Sequence, residues 1–315
     1  MLKYLIIMLA EDSVSFCHYE KVSGPGRFIS SEVLSEAIFM AMKENLSVQF
    51  VYPERPVPEE LLSIIDTIDH VDIKPSSVIR GRPEYNPAVI VSDGFENIGY
   101  DMTQTYILRT SVKDIIANID RLILILEKVA RLNIVLTDLE MLSKETVGQY
   151  GKVLEIIAGK MANLYEKGHK PQLNILTDRL MLSAMNNCNA GLESITLAAN
   201  GIFYPCPAFI NDGNFACGTL EEGISVRNSQ LYDISKAPVC RQCDAWHCKR
   251  CVWLNRRLTR EINIPGWQQC VTAHYERNAS RKFLQLLRGH DANSMNGIEI
   301  PEISYLDPFI KIDKL

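Results

Sequence analysis

Eight of the nine cysteines lie between Cys188 and Cys270, and the first 187 residues hold only Cys17. The spacings are Cys188-x17-Cys206, Cys206-x10-Cys217, then Cys240-x2-Cys243-x4-Cys248-x2-Cys251, and finally Cys270. Disulfide scaffolds belong to short secreted chains, whereas this chain has 315 residues and length enough for a substantial core. In a reducing cytosol a dense block of thiols points instead to metal. Paired C-x2-C motifs are a frequent zinc arrangement with four thiolate ligands. Eight cysteines also supply two four-thiolate iron–sulfur centres. Between Cys240 and Arg260 lie Arg241, Lys249, Arg250, Arg256 and Arg257, opposed only by Asp244. These cations suit the negative charge of either kind of centre. Spacing and charge leave zinc and clusters both open.

Composition excludes other classes. With 33 Lys and Arg against 38 Asp and Glu, the formal net charge is −5. A dedicated nucleic-acid binder would carry a basic footprint, so no nucleic-acid partner is expected. No apolar run reaches the ~18 residues that span a bilayer, so no membrane partner is expected either. Leu2–Ala10 is followed directly by Glu11 and Asp12, with no small-residue cleavage site. It reads as a first strand rather than a signal peptide, and a cytoplasmic location follows.

Residues 1–186 alternate short apolar runs with amphipathic stretches, the pattern of an α/β domain. Strands are predicted at Leu2–Ala10, Ser47–Tyr52, Ala88–Ser92, Thr105–Arg109, Asn133–Thr137 and Gln172–Thr177, with Val14–Tyr19 as a further candidate. Helices are predicted at Ser31–Asn45 (apolar face Val33, Leu34, Ile38 and Met42), Pro56–Ile68, a long stretch from Thr110 or Ser111 to Leu132, and Ser143–Lys167. Ser30 or Ser31 reads as the N-cap of the first. Strands apolar on both faces and separated by helices predict a mostly parallel sheet, open or curled into a partial barrel. Residues 187–288 form the cysteine-rich part, with an Asn200-Gly201 hairpin and a closing helix at 271–288. Residues 289–315 read as an extended tail.

Cys188-x12-Gly201-x4-Cys206, a gap, Cys240-x2-Cys243-x4-Cys248-x2-Cys251, a gap, and Cys270 together resemble the SPASM domain. That domain is the seven-cysteine extension of radical SAM enzymes that mature ribosomal peptides. The last two intervals of the middle block are each one residue shorter than the family's form. The resemblance implies two [4Fe–4S] clusters, one on Cys188, Cys206 and Cys251, the other on Cys240, Cys243, Cys248 and Cys270. The fourth ligand of the first varies in the family, and Cys217 is the nearest local candidate. Over nearly the whole chain, Ser13–Glu20 (SVSFCHYE), Met42–Pro53 (MKENLSVQFVYP), Leu173–Arg179 (LNILTDR) and Cys240–Asn255 (CRQCDAWHCKRCVWLN) are similar to the CXXX repeat peptide maturases. Those accompany radical SAM enzymes in bacterial clusters that encode peptides with regularly repeated cysteines.

The C-x3-C-x2-C triplet by which a radical SAM enzyme leaves one iron open to SAM is missing. The α/β half then reads as a degenerate radical SAM-like platform, an analogy of fold. Other constellations are weaker. Cys17 beside His18 and Glu20 suggests an activated thiolate, but adjacent strand residues face opposite sides, and a buried structural cysteine whose loss leaves metal content unchanged is favoured. His247 is a possible substitute ligand, Trp246 and Trp253 shield a centre, and Asp178-Arg179 reads as an ordinary ion pair at a sheet rim. Ser23-Gly24-Pro25-Gly26 is a turn rather than a phosphate loop.

These observations predict a protein that matures a cysteine-repeat peptide, binding the precursor and assisting a separate radical SAM maturase. A zinc-stabilised peptide-binding adaptor without redox role is the alternative, and an enzyme acting on thiols through an open cluster iron is a third.

Overall fold

The structure is a computed structural model that describes residues 2–79, 88–96, 98–185, 187–212, 214–291 and 295–300. The chain runs β1 (Tyr4–Met8), α1 (Ser31–Lys43), β2 (Ser47–Val51), α2 (Glu59–Ile65), β3 (His70–Pro75), α3 (Ser76–Ile79), β4 (Val89–Asp93) and β5 (Thr105–Thr110). It continues with α4 (Val112–Ala117), α5 (Ile119–Leu126), β6 (Arg131–Leu136), α6 (Lys144–Glu166), β7 (Gln172–Leu173) and α7 (Asp178–Met181). Then come β8 (Ser194–Leu197), β9 (Phe203–Tyr204), the small pair β10 (Gly218–Thr219) and β11 (Gly223–Ile224), α8 (Val252–Thr259) and α9 (Trp267–His290).

β1 to β9 form one sheet in the order β7-β6-β5-β4-β3-β2-β1-β8-β9. Every neighbouring pair is parallel except β8–β9. The mostly parallel α/β sheet is therefore as predicted, and it stays open rather than closing into a barrel. β8 pairs with β1 through Tyr4–Ser194 to Ile7–Leu197, so the sheet runs on past residue 187.

The two faces of the sheet are used differently. Leu5, Ile7 and Phe50 face Leu34, Ala37 and Ile38 of α1, while Ile90, Leu108 and Ile134 join the core with α6 and α9. The opposite face presents Ile6, Met8, Val51, Ile73 and Val91, and Val14, Phe16 and Ile210 pack onto it. Val14–Tyr19 is thus no strand. Its apolar side chains cover the sheet face instead of pairing with an edge, which satisfies the same alternation. Where α6 crosses α9, a Cβ on Gly151 would stand 2.4 Å from a Tyr275 ring carbon, so the close approach requires glycine.

Several local signals hold. Ser30, Ser111 and Ser143 cap α1, α4 and α6, their hydroxyls accepting from Val33, Asp114 and Thr146 N–H. The hairpin turns at Asn200-Gly201, with Gly201 at φ +79°. Others differ. The long helix through Leu132 breaks at Asn118 into α4 and α5. Met42 is exposed, because Ala37 and Ala41 complete the buried stripe of α1. β3 and α8 lie where neither strand nor helix was predicted. The tail residues Ile303, Tyr305, Phe309 and Ile310 lie outside the described residues, while Ile298 and Ile300 pack on the main core. Among the described residues no helix is long and apolar enough to cross a membrane.

Candidate metal centres

After β1 the chain passes over the carboxyl ends of its neighbours, where parallel sheets usually hold ligands. The Ser13 hydroxyl donates to the Val51 carbonyl at 2.8 Å. Arg109, buried at the end of β5, donates through Nε to the Cys17 carbonyl (3.0 Å) and through Nη2 to the Tyr19 carbonyl (2.9 Å). The same guanidinium pairs with Asp93 and, at 3.2 Å, with Glu20. Burial pushes the Asp93 carboxyl up, against the pull of Arg109. His18 Nδ1 lies 2.9 Å from the Leu136 carbonyl at the end of β6. The loop is fastened at both sides.

Cys17 sits on this loop, within electrostatic reach of the Cys188, Cys206 and Cys251 sulfurs. Cys17 is half-buried, and burial followed by the Cys251 and Cys188 sulfurs raises its thiol pKa. Cys206, at the start of the turn after β9, is raised by burial and then by Cys251, Cys188 and Cys17. Cys251, at the N-terminus of α8, is pushed up to about 12 by burial and then by Cys188. Cys188 is exposed as a residue, yet burial of its sulfur raises it, opposed in part by Lys249 and Arg250. Its N–H donates to the Lys249 carbonyl at 3.3 Å, which ties it to the strip leading to Cys251. Cys17 is no activated nucleophile: burial raises its thiol, His18 turns to Leu136, and Glu20 turns to Arg109.

A second group forms on the other side of the same strip. Burial brings Cys240 to about 11, Arg250 pulling it down and Cys243 pushing it up. Cys248 is raised by burial and then by Cys240 and Cys243, while the Arg250 N–H donates to its sulfur at 3.5 Å. The Cys243 sulfur lies 3.5 Å from His274 Nε2 on α9. Cys270 precedes His274 by one helical turn and so shares that face of α9. Cys217 lies apart, buried in the core under α1, its thiol donating to the Phe215 carbonyl at 3.4 Å.

The loop carrying Cys243 and Cys248 is held from below. The buried Arg179 donates to the Asp244 carbonyl at 2.6 Å, and its guanidinium stacks 3.9 Å from the Trp246 ring centroid. Arg277 of α9 pairs with the Asp244 carboxylate at 2.6 Å. Asp178 pairs with Arg131 at 2.9 Å rather than with its neighbour Arg179. His247 faces Glu276 at 3.1 Å, and the Tyr150 hydroxyl donates to the other oxygen of Glu276 at 2.9 Å. A cavity of about 80 Å³ between the two thiol groups is lined by His18, Asn174, His247, Cys248, Cys251 and Glu276. It has room for two or three waters at ~30 Å³ each.

Among the described residues, no three His, Cys, Asp or Glu side chains converge on one point as the ligands of a single ion would. The donor chemistry nevertheless fits a multi-thiolate group. Thiols are the soft donors that suit iron–sulfur clusters and zinc, and metal binding releases to solvent the protons that burial now holds on them.

Periodicity hides the place of Cys17, and no local spacing in the sequence marks it.

No family model and no curated protein matches the chain. Solved structures do. The native anSMEcpe with bound AdoMet aligns with a TM-score of 0.63 at 12% identity, over 94% of this chain and 100% of that one. The same protein with AdoMet and the Cp18Cys peptide gives 0.59 at 11%, over 95% and 100%. Streptococcus suis SuiB bound to its precursor peptide SuiA gives 0.49 at 13%, over 84% and 74%. At such identities the likeness is one of architecture: the chain has a radical SAM-like α/β fold.

Proposed function

We propose that this chain takes part in maturing a ribosomally made peptide with regularly repeated cysteines, as a cytoplasmic protein that binds the precursor and assists a separate radical SAM maturase. What supports the reading is the cavity at the carboxyl end of a radical SAM-like sheet, lined by Cys248 and Cys251, with further thiols within electrostatic reach of each. The fold's likeness to anSMEcpe, which is seen with AdoMet and a peptide bound, supports a peptide as the partner. Two [4Fe–4S] clusters are the cofactors, one held by Cys188, Cys206 and Cys251, the other by Cys240, Cys243, Cys248 and Cys270. When bound, such clusters supply one-electron transfer at potentials set by burial and by hydrogen bonds to sulfur. The chain's own part is to hold them. Arg250 supplies an N–H to Cys248 and, with Lys249, positive charge beside Cys188, both of which favour a more negative cluster.

Protein purified without oxygen is expected to be brown and to hold about eight irons, two four-iron clusters' worth. Metal analysis and absorption spectra check this. Stoichiometric zinc without iron after anaerobic reconstitution would leave the adaptor reading standing. Reduced and given SAM, the pure chain is expected to form no 5′-deoxyadenosine, because the three-cysteine motif that opens an iron to SAM is absent. Multiple turnovers seen by chromatography would end the accessory role.

A further inference from the structure

We propose that Cys17 is the fourth thiol of the first centre, joining Cys188, Cys206 and Cys251 and pinning the first loop of the sheet to the cysteine-rich half. The assignment rests on the cluster reading above, in which that centre has three cysteine ligands and lacks a fourth.

Two contacts bring the loop to the centre, and a third ties the centre's own segments together. His18 and Cys251 line one cavity. Phe16 packs in the same apolar cluster as Ile210, four residues beyond Cys206. The Cys188 N–H is bonded to Lys249, two residues before Cys251. The Cys251 and Cys188 sulfurs lie within electrostatic reach of both Cys17 and Cys206. The loop is built to stay there: Arg109 holds the carbonyls of Cys17 and Tyr19, and Ser15 donates to the Tyr19 carbonyl as well. Arg109 acts here as a positioning residue. Cys217, the nearest candidate in sequence, is raised by burial alone and bonds to a backbone carbonyl in another core.

Binding moves no electron. The Cys17 thiol loses its proton to solvent as its sulfur takes the fourth iron, which leaves the centre with four protein ligands. A cluster closed in this way has no iron free for a peptide thiolate. Its work is then to pass electrons, and the precursor is recognised elsewhere.

The test compares iron content and Mössbauer spectra of the full chain, wild type, Cys17→Ala and Cys217→Ala, each reconstituted without oxygen. Cys17→Ala should lose between one and four of about eight irons, while Cys217→Ala matches the wild type. The second centre's four-iron signal shows in each sample that the chain is folded. An iron-replete wild type with an unchanged Cys17→Ala overturns this assignment alone. A wild type that takes up no iron overturns the cluster reading and the assignment with it. A second measurement needs no variant: maleimide labelling of Cys17 should rise when a chelator strips the iron, and equal labelling in both states counts against the ligand role.

Discussion

Cys243→Ala is expected to hold about four irons instead of about eight, and to lose stability with them. The Cys243 sulfur lies against His274 of α9, in a loop fixed by Arg179 beneath and Arg277 beside it. Removing it takes one of four donors from the second centre. The segment from Cys240 to Cys251 is short turns, so metal-binding energy there is folding energy, of order 10 kcal/mol for a structural zinc site. Iron analysis and urea denaturation read the two effects separately. The first centre should keep its spectrum, since Cys251, its one thiol on that strip, is fixed at the N-terminus of α8. Wild-type iron content in Cys243→Ala would remove this residue from the ligand set.

Arg109→Ala is expected to cost about 3 kcal/mol by urea denaturation. The guanidinium is buried and serves two main-chain carbonyls, each of which would lose a charge-assisted partner at ~1–3 kcal/mol. Its ion pairs add little. Asp93 and Glu20 are about half and three-quarters exposed respectively, so solvent screens both. Arg109→Lys should recover only part of the loss, because an ammonium cannot present the flat fork that reaches both carbonyls at once. A loss under 1 kcal/mol would mean that the loop is held by its apolar packing and by Ser13, Ser15 and His18 without need of Arg109.

The elements read most clearly from sequence were those set by local chemistry. Serine caps start α1 and α4 where expected, because a hydroxyl beside unpaired N–H groups acts within one turn. The Asn-Gly hairpin succeeds for the same reason. Val14–Tyr19 fails because alternation reports which side chains are buried, not what buries them. β3 hides in a charged stretch, His70–Pro75, where Asp72 pairs with Lys74 at 2.8 Å. At the site, the resemblance supplied the division of the cysteines, which spacing alone left open. Cys17 could not join them on any local rule: it stands 171 residues before Cys188, and only the fold brings the two together.

The place of β1 in the sheet bears on how the protein is made. β1 emerges first, yet it is an interior strand, flanked by β2 on one side and β8 on the other. While residues 52 to 193 are being synthesised, the side of β1 that will meet Ser194–Leu197 offers bare amides and carbonyls along an apolar strand. Pairing across such a separation is slow, because the loop must close before any contact rewards it. The nascent chain therefore carries an adhesive edge until the cysteine-rich part, made after the other parallel strands, supplies the strand that covers it.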